Sequence, residues 1–314
     1  MRAGRHIASL RGFLAVGLCV LAFSSCVHRS PFKDEHYFQA LGDPGQIVIT
    51  ADSRTVSKLP ISFEAIDPTF ASLLARVDRL SVELYDPDHT ERDDQVLDAQ
   101  VLSSYRFRGA LEGNIPAFLT NSMLLWDDGW DQVSVGSGMR YYRNEWLGLE
   151  VYAPKNGILL FANEDYLDHY RKSYKERVTR IPRALADRMA NSLFGFYVGS
   201  PQAMIDVGLA IPKSVLLQSE SIVLVIEETS ERPVLGGIIT MKSDRLANSL
   251  SILLKSSYIS DKRRKKEPLG DLTNLFVLEG DAVYINGMTL TDEQLASFSA
   301  MFGSLASIST GENR

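Results

Sequence analysis

Two periodicities alternate along the chain. Runs that are continuously apolar, or that alternate apolar with polar, predict strands at 46–51, 80–85, 105–111, 194–198, 222–226 and 234–241. Apolar residues three and four apart predict helices at 53–58, at 68–77 behind Pro68, at 115–126, at 185–194, at 203–211 behind Pro201, at 213–217 behind Pro212 and at 244–254. Two hairpins are expected, 149–161 turning on Asn156-Gly157 and 275–285 turning on Gly280-Asp281, and each leads into a helix with an acidic start. The order of elements repeats. Strand, two helical runs, two strands, helix, hairpin and helix occur over 37–175 and again over 183–303, leaving a polar tail at 304–314. Both helices that precede a hairpin contain Asn-Ser, at Asn121-Ser122 and Asn248-Ser249. The repetition predicts an internal duplication. Hairpins in place of βαβ crossovers make the expected class α+β: a largely antiparallel sheet covered by amphipathic helices, built from two related halves.

The helical runs are more apolar than one core contact requires. In 115–126 the stripe Ile115, Phe118, Leu119, Met123 and Trp126 already makes one face, Leu124 and Leu125 widen it, and no charge occurs before Asp127. Residues 185–194, with Leu185, Met189 and Leu193, have the same breadth, as do 203–211 and the end of 244–254. Two explanations stand side by side. Such faces cover the sheet, or they line a pocket for an apolar ligand or lie in a membrane interface. The three tryptophans, Trp126, Trp130 and Trp146, fall within 21 residues, with Tyr141 and Tyr142 between them. Clustered aromatics suit a membrane–water boundary and equally a local aromatic core. One basic run, Lys262, Arg263, Arg264, Lys265 and Lys266, falls in the expected loop before the second hairpin. It reads as a solvated loop or as a contact for anionic lipid headgroups.

The N-terminus has a different pattern. Arg2, Arg5, His6 and Arg11, with no acid, precede an apolar run at 12–23, the layout of a secretory signal and too short for a permanent span. The ending Ser24-Ser25-Cys26 resembles the lipobox of bacterial lipoproteins, with Phe23 where the common pattern has Leu. That resemblance implies a signal over 1–25, diacylation of Cys26 by palmitate-like chains, and a tether over 26–36. Loss of three arginines and no acid takes the 33 basic residues to 30 against 39 acidic ones, so the formal charge moves from −6 to −9. Val27, in place of an aspartate after the cysteine, implies by the same resemblance the outer membrane, with the body facing the periplasm.

Composition narrows the function further. With 45% hydrophobic and 23% charged residues the chain is neither disordered, nor a coiled coil, nor a polytopic membrane protein. The acidic balance argues against nucleic acid as a partner. Both cysteines lie within the first 26 residues, which removes disulfides and thiolate metal sites from the body. There is no phosphate-binding glycine loop, nucleophile elbow or His-Glu-x-x-His, and His89 and His169 have no partner at ligand spacing. The acidic stretch 86–94 has Glu91 where a calcium loop needs glycine and Leu97 where it needs its closing acid, so it reads as a solvated loop. Asp127, Asp128 and Asp131 are explained by a helix end beside tryptophans. No catalysis, metal or cofactor is expected.

The relaxed lipobox at Cys26, the tether and the apolar helices such as 115–126 together resemble treponemal outer-membrane lipoproteins of the concealed, membrane-inserting type. The resemblance covers the layout of the whole chain and carries over one residue, Cys26. It implies a lipid-anchored protein whose amphipathic helices bind lipid or another apolar ligand and insert into or permeabilise the membrane. The alternative is a periplasmic scaffold that binds an envelope protein. As pH falls towards 5 the mature charge shrinks, and liposome binding is expected to tighten.

Overall fold

Ile47–Asp52 is buried without a break, as a strand must be when both neighbours and both faces are covered. This strand, β1, lies near the middle of a twelve-stranded sheet. The computed structural model describes residues 46–52, 76–86, 92–96, 105–135, 139–163, 183–204, 211–229 and 233–290. On one side of β1 lie β2 (Val77–Tyr85) and β4 (Arg106–Gly113). Beyond them come β8 (Ile158–Asn163), β7 (Leu149–Lys155), β6 (Met139–Asn144) and β5 (Asp131–Val135). On the other side lie β9 (Phe194–Gly199), β11 (Ser219–Glu227), β12 (Val234–Met241), β14 (Ala282–Thr289) and β13 (Phe276–Glu279). Every pairing in this sheet is antiparallel, and β1 with β9 joins segments nearly 150 residues apart. A separate parallel ribbon pairs β3 (Arg92–Val96) with β10 (Ala203–Met204).

The helices of the described residues are few: α1 (Ala117–Trp126), α2 (Arg183–Asn191), α3 (Lys213–Leu216), α4 (Asp244–Lys265) and α5 (Leu272–Leu275). Register places Ile47, Leu84, Leu111, Leu159, Val151 and Tyr142 on one face of the sheet. Two stretches of core share this face. One is joined by Ala247, Leu250 and Leu254 of α4, and the other by Ile115 and by Leu124 of α1. The opposite face carries Val48, Ala110, Leu160, Tyr197 and Val223, with Ala186 and Met189 of α2. Helices therefore lie locally against the sheet, α1 on β7, α4 across β12 to β14, and α2 on β9 and β11. The α+β class and the large antiparallel sheet are as the periodicity predicts.

Several expectations change. The helix expected at 203–211 begins instead as strand β10, because Ala203 and Met204 pair with β3; 205–210 lie outside the described residues. The acidic stretch 86–94 is not a uniform solvated loop: Asp86 is buried at the end of β2, and Arg92 opens β3. The helix at 244–254 runs on to Lys265, so the basic run is its last turn rather than a loop. Cationic side chains there face the negative end of the helix dipole, a pattern that favours continuation. Val77, expected to close a helix at 68–77, opens β2. The signal, Cys26, the tether, 53–75, His89, His169 and everything after Leu290 lie outside the described residues.

Candidate functional site

The site is built on α1. Pro116 disfavours helical backbone at Ile115, so the helix starts two residues later than the apolar spacing suggests. Ile115 is thereby dropped from the helical face and buried, its carbonyl accepting from Gly157 N–H at 2.7 Å. The first helical amide, Ala117 N–H, donates to Asn156 Oδ1 at 2.9 Å across the hairpin turn. Asn121 Nδ2 donates to the Ala153 carbonyl at 2.9 Å, and its Oδ1 accepts from Ala153 N–H at 3.2 Å, so one amide side chain docks the helix on β7. Only Thr120 and Leu124 of the helix are buried. Asp127 ends it, accepting at Oδ1 from Gly129 N–H at 2.9 Å.

The outward face is the unusual part. Phe118 is 79% exposed and Trp126 78%, with Leu119, Met123 and Leu125 also exposed between and beside them. Trp146, 88% exposed, stands in the turn between β6 and β7. That turn adjoins the Trp126 end of α1, since a side chain added at Gly129 would meet both Asp127 and Asn144. Isolated surface leucines need no explanation, but several large apolar side chains exposed on one short helix are unusual for a protein surface. The stripe Phe118, Leu119, Met123, Trp126 is thus one face, as expected, but it turns away from the sheet.

The tryptophan cluster splits. Trp126 and Trp146 are on the surface, Trp130 is half-buried against the first-half core, and Tyr141 and Tyr142 are buried. Of the other apolar candidates, Met189 is fully buried and Leu193 is half-buried against the core, so neither belongs to an outer contact. The reason is close approach. α2 passes over Gly195 and Gly236, where a Cβ would run into Thr50 and into the Arg188 guanidinium, and Arg188 clamps the helix by donating to Glu227 at 2.9 and 3.1 Å. Leu185 lies in α2, and its side chain is outside the described residues.

The basic run at the end of α4 is partly consumed by the fold. Lys262 is buried and donates to Glu267 at 2.5 Å, and it stands 5.5 Å from the centre of the Tyr258 ring. Arg264 and Lys265 donate to Asp261 at 2.7 and 3.0 Å. Burial alone raises the Asp261 pKa, but the hydrogen bonds and charges of these two cations outweigh it and hold the carboxyl below its ordinary value. Arg263 and Lys266 are exposed. Sequence reasoning had no signal for the buried network on the opposite face, where Glu83 pairs with Arg108 and accepts from Gln46. These groups complement one another internally and read as architecture.

Among the described residues no His, Cys, Asp and Glu cluster is arranged to hold a metal, and no helix is long and apolar enough to cross a membrane. No family model and no curated protein matches the chain. Among solved structures it is similar to TP0453, a protein of Treponema pallidum. Crystal form I matches with a TM-score of 0.50 at 14% identity, over 86% of this chain and 96% of that one. Crystal form III matches with a TM-score of 0.49 at 14% identity, over 84% and 97%. At this identity the likeness is one of fold.

Proposed function

We propose that the protein is an outer-membrane lipoprotein, anchored through Cys26 and facing the periplasm, that is not an enzyme but binds lipid by laying α1 into the membrane interface. The observation that carries this reading is the exposed stripe Phe118, Leu119, Met123, Leu125 and Trp126 on a helix without charge, with Trp146 beside its end. Aromatic rings with polar edges are stabilised at the level of the headgroups, and aliphatic neighbours gain by leaving water. A shallow helix of this kind perturbs the leaflet it enters without spanning the bilayer.

The two halves are read as related copies. Outward from the central pair, the order β1-β2-β4-β8-β7 on one side has the counterpart β9-β11-β12-β14-β13 on the other, with α1 and α4 following the third strand of each. This supports a duplication in which each copy contributes one helix to the same face.

The test is release of a trapped dye from vesicles by the non-acylated chain. Wild type is expected to cause leakage, more at pH 5 than at pH 7, and Phe118→Ser/Trp126→Ser to cause little at either. Equal leakage by wild type and variant would sink the proposal. Stoichiometric copurification of an envelope protein, lost in the same variant and with no lipid bound, would replace it by the scaffold reading.

A further inference from the structure

The longest helix presents a second surface of different chemistry. Between Asp244 and Lys266 the chain has seven cations and two acids, whereas the whole chain is acidic. The side of α4 opposite its buried residues Ala247, Leu250 and Leu254 is an open surface that faces away from the core. It carries Ile252, Lys255, Ser256, Ile259, Ser260 and Arg263, which recur three and four residues apart and so share one stripe. Lys255 and Arg263 are eight residues apart, about 12 Å along the axis. Unlike Lys262, Arg264 and Lys265, neither has an acidic partner among the described residues. Ile252 is 59% exposed, and Leu253 beside it is also on the surface.

We infer that this face of α4 binds anionic phospholipid headgroups at a bilayer surface. The inference rests on the membrane reading above and adds the lipid class. Two cations without an acidic partner among the described residues, a little over two helical turns apart, with Ile259 between them and Ile252 at one end, match an occupant that is apolar below and negatively charged at its surface. Ser256 and Ser260 add hydroxyl donors for phosphate oxygens. A protein partner with one acidic patch needs neither the exposed Ile252 nor the half-buried Ile259 in the stripe, and a soluble phosphate needs neither. Both helices pack on the same face of the sheet, and α4 adds charge to the apolar burial proposed for α1.

The experiment is flotation of the non-acylated protein with vesicles of phosphatidylcholine alone and with vesicles containing one-third phosphatidylglycerol, at low and high salt. Wild type is expected to bind the anionic vesicles about tenfold more tightly at low salt, from two cations near the surface, and to lose this preference at high salt. Lys255→Gln/Arg263→Gln is expected to bind both vesicle types alike, and Lys255→Arg/Arg263→Lys to keep the preference. Excess soluble glycerol phosphate should not compete. Equal wild-type binding to both vesicles, or an unchanged preference in the glutamine variant, overturns the headgroup site while leaving the α1 proposal standing. Binding to neither vesicle overturns both. Full competition by glycerol phosphate assigns the site to a soluble anion and overturns the bilayer reading.

Discussion

The helices α1 and α4 flank the same face of one sheet and are held there by opposite means. α4 carries the local devices that stabilise a helix on its own account. Ser243 Oγ accepts from Leu246 N–H, Asp244 stands in the first turn, four cations stand in the last, and Lys266 closes it in the left-handed conformation. α1 has none of these. Its N-cap is Pro116 with no side-chain bond, and its first turn has no acid and its last no cation. Ten residues without caps are marginal in water, so α1 exists because Leu124, Thr120 and Asn121 dock it on β7. A helix with so little holding it and so much apolar surface turned outward is better explained by what it contacts outside than by what it contributes to the core.

The strongest way to break this contrast is to remove the inward anchors. Leu124→Ala is expected to lower stability by about 2–5 kcal/mol and to detach α1. Leu250→Ala should cost a similar amount with α4 still formed, because Ala247 and Leu254 remain and its caps are local. Urea unfolding gives the cost, and amide exchange over 117–126 against 244–265 gives the contrast. Equal protection of both helices in both variants would count against it.

Next in size is the outward face. Phe118→Ser/Trp126→Ser is expected to weaken vesicle binding by about a hundredfold, the equivalent of ~3 kcal/mol of lost apolar burial, while unfolding midpoints hardly move because both side chains are exposed. A large loss of stability in this variant would mean that the stripe is core after all. On the α4 side, Ser243→Ala should cost about 1 kcal/mol through the lost cap, with vesicle binding unchanged. Calorimetry and flotation on the same sample separate the two effects.

The smallest effect concerns the last turn of α4. Asp261 is held below its ordinary 3.8 by Arg264 and Lys265 against the opposing effect of burial. Its folded value is depressed, so the contribution to stability is complete above 3.8 and is lost as pH falls through the lower folded value. A carbon-13 titration of the Asp261 carboxyl should give a midpoint below 3.8 that moves back up in Arg264→Gln/Lys265→Gln. A wild-type midpoint at or above 3.8 contradicts the pairing.

Much of the sheet was legible from pattern alone. The run 234–241 is β12 without adjustment, and both hairpins turn where Asn156-Gly157 and Gly280-Asp281 place them, since Gly157 and Gly280 supply the positive φ such turns require. Strands β5 and β6 are the part of the sheet the apolar pattern passes over: 131–144 is mostly polar, and its signals are the short alternation Val133-Ser134-Val135 and the turn residues Gly136-Ser137-Gly138. Nothing apolar continues the stripe beyond Ile259, so the hydrophobic period by itself predicts a loop over the basic run. The helix persists there on charge pairing and dipole complementarity, which a hydrophobic period does not register.

Period two and period three to four, read along the chain, thus located most of the sheet and the helices α1, α2 and α4, though not β5, β6 or β10, because those spacings are imposed by backbone geometry before any packing. They did not settle which way α1 faces. A helix apolar on every side has no preferred inner surface. Its orientation came from Pro116 delaying the helix start, from Asn156 taking the first amide, and from Asn121 meeting the backbone of Ala153. Those contacts join residues thirty or more positions apart, and they turn Leu124 in and Phe118 and Trp126 out.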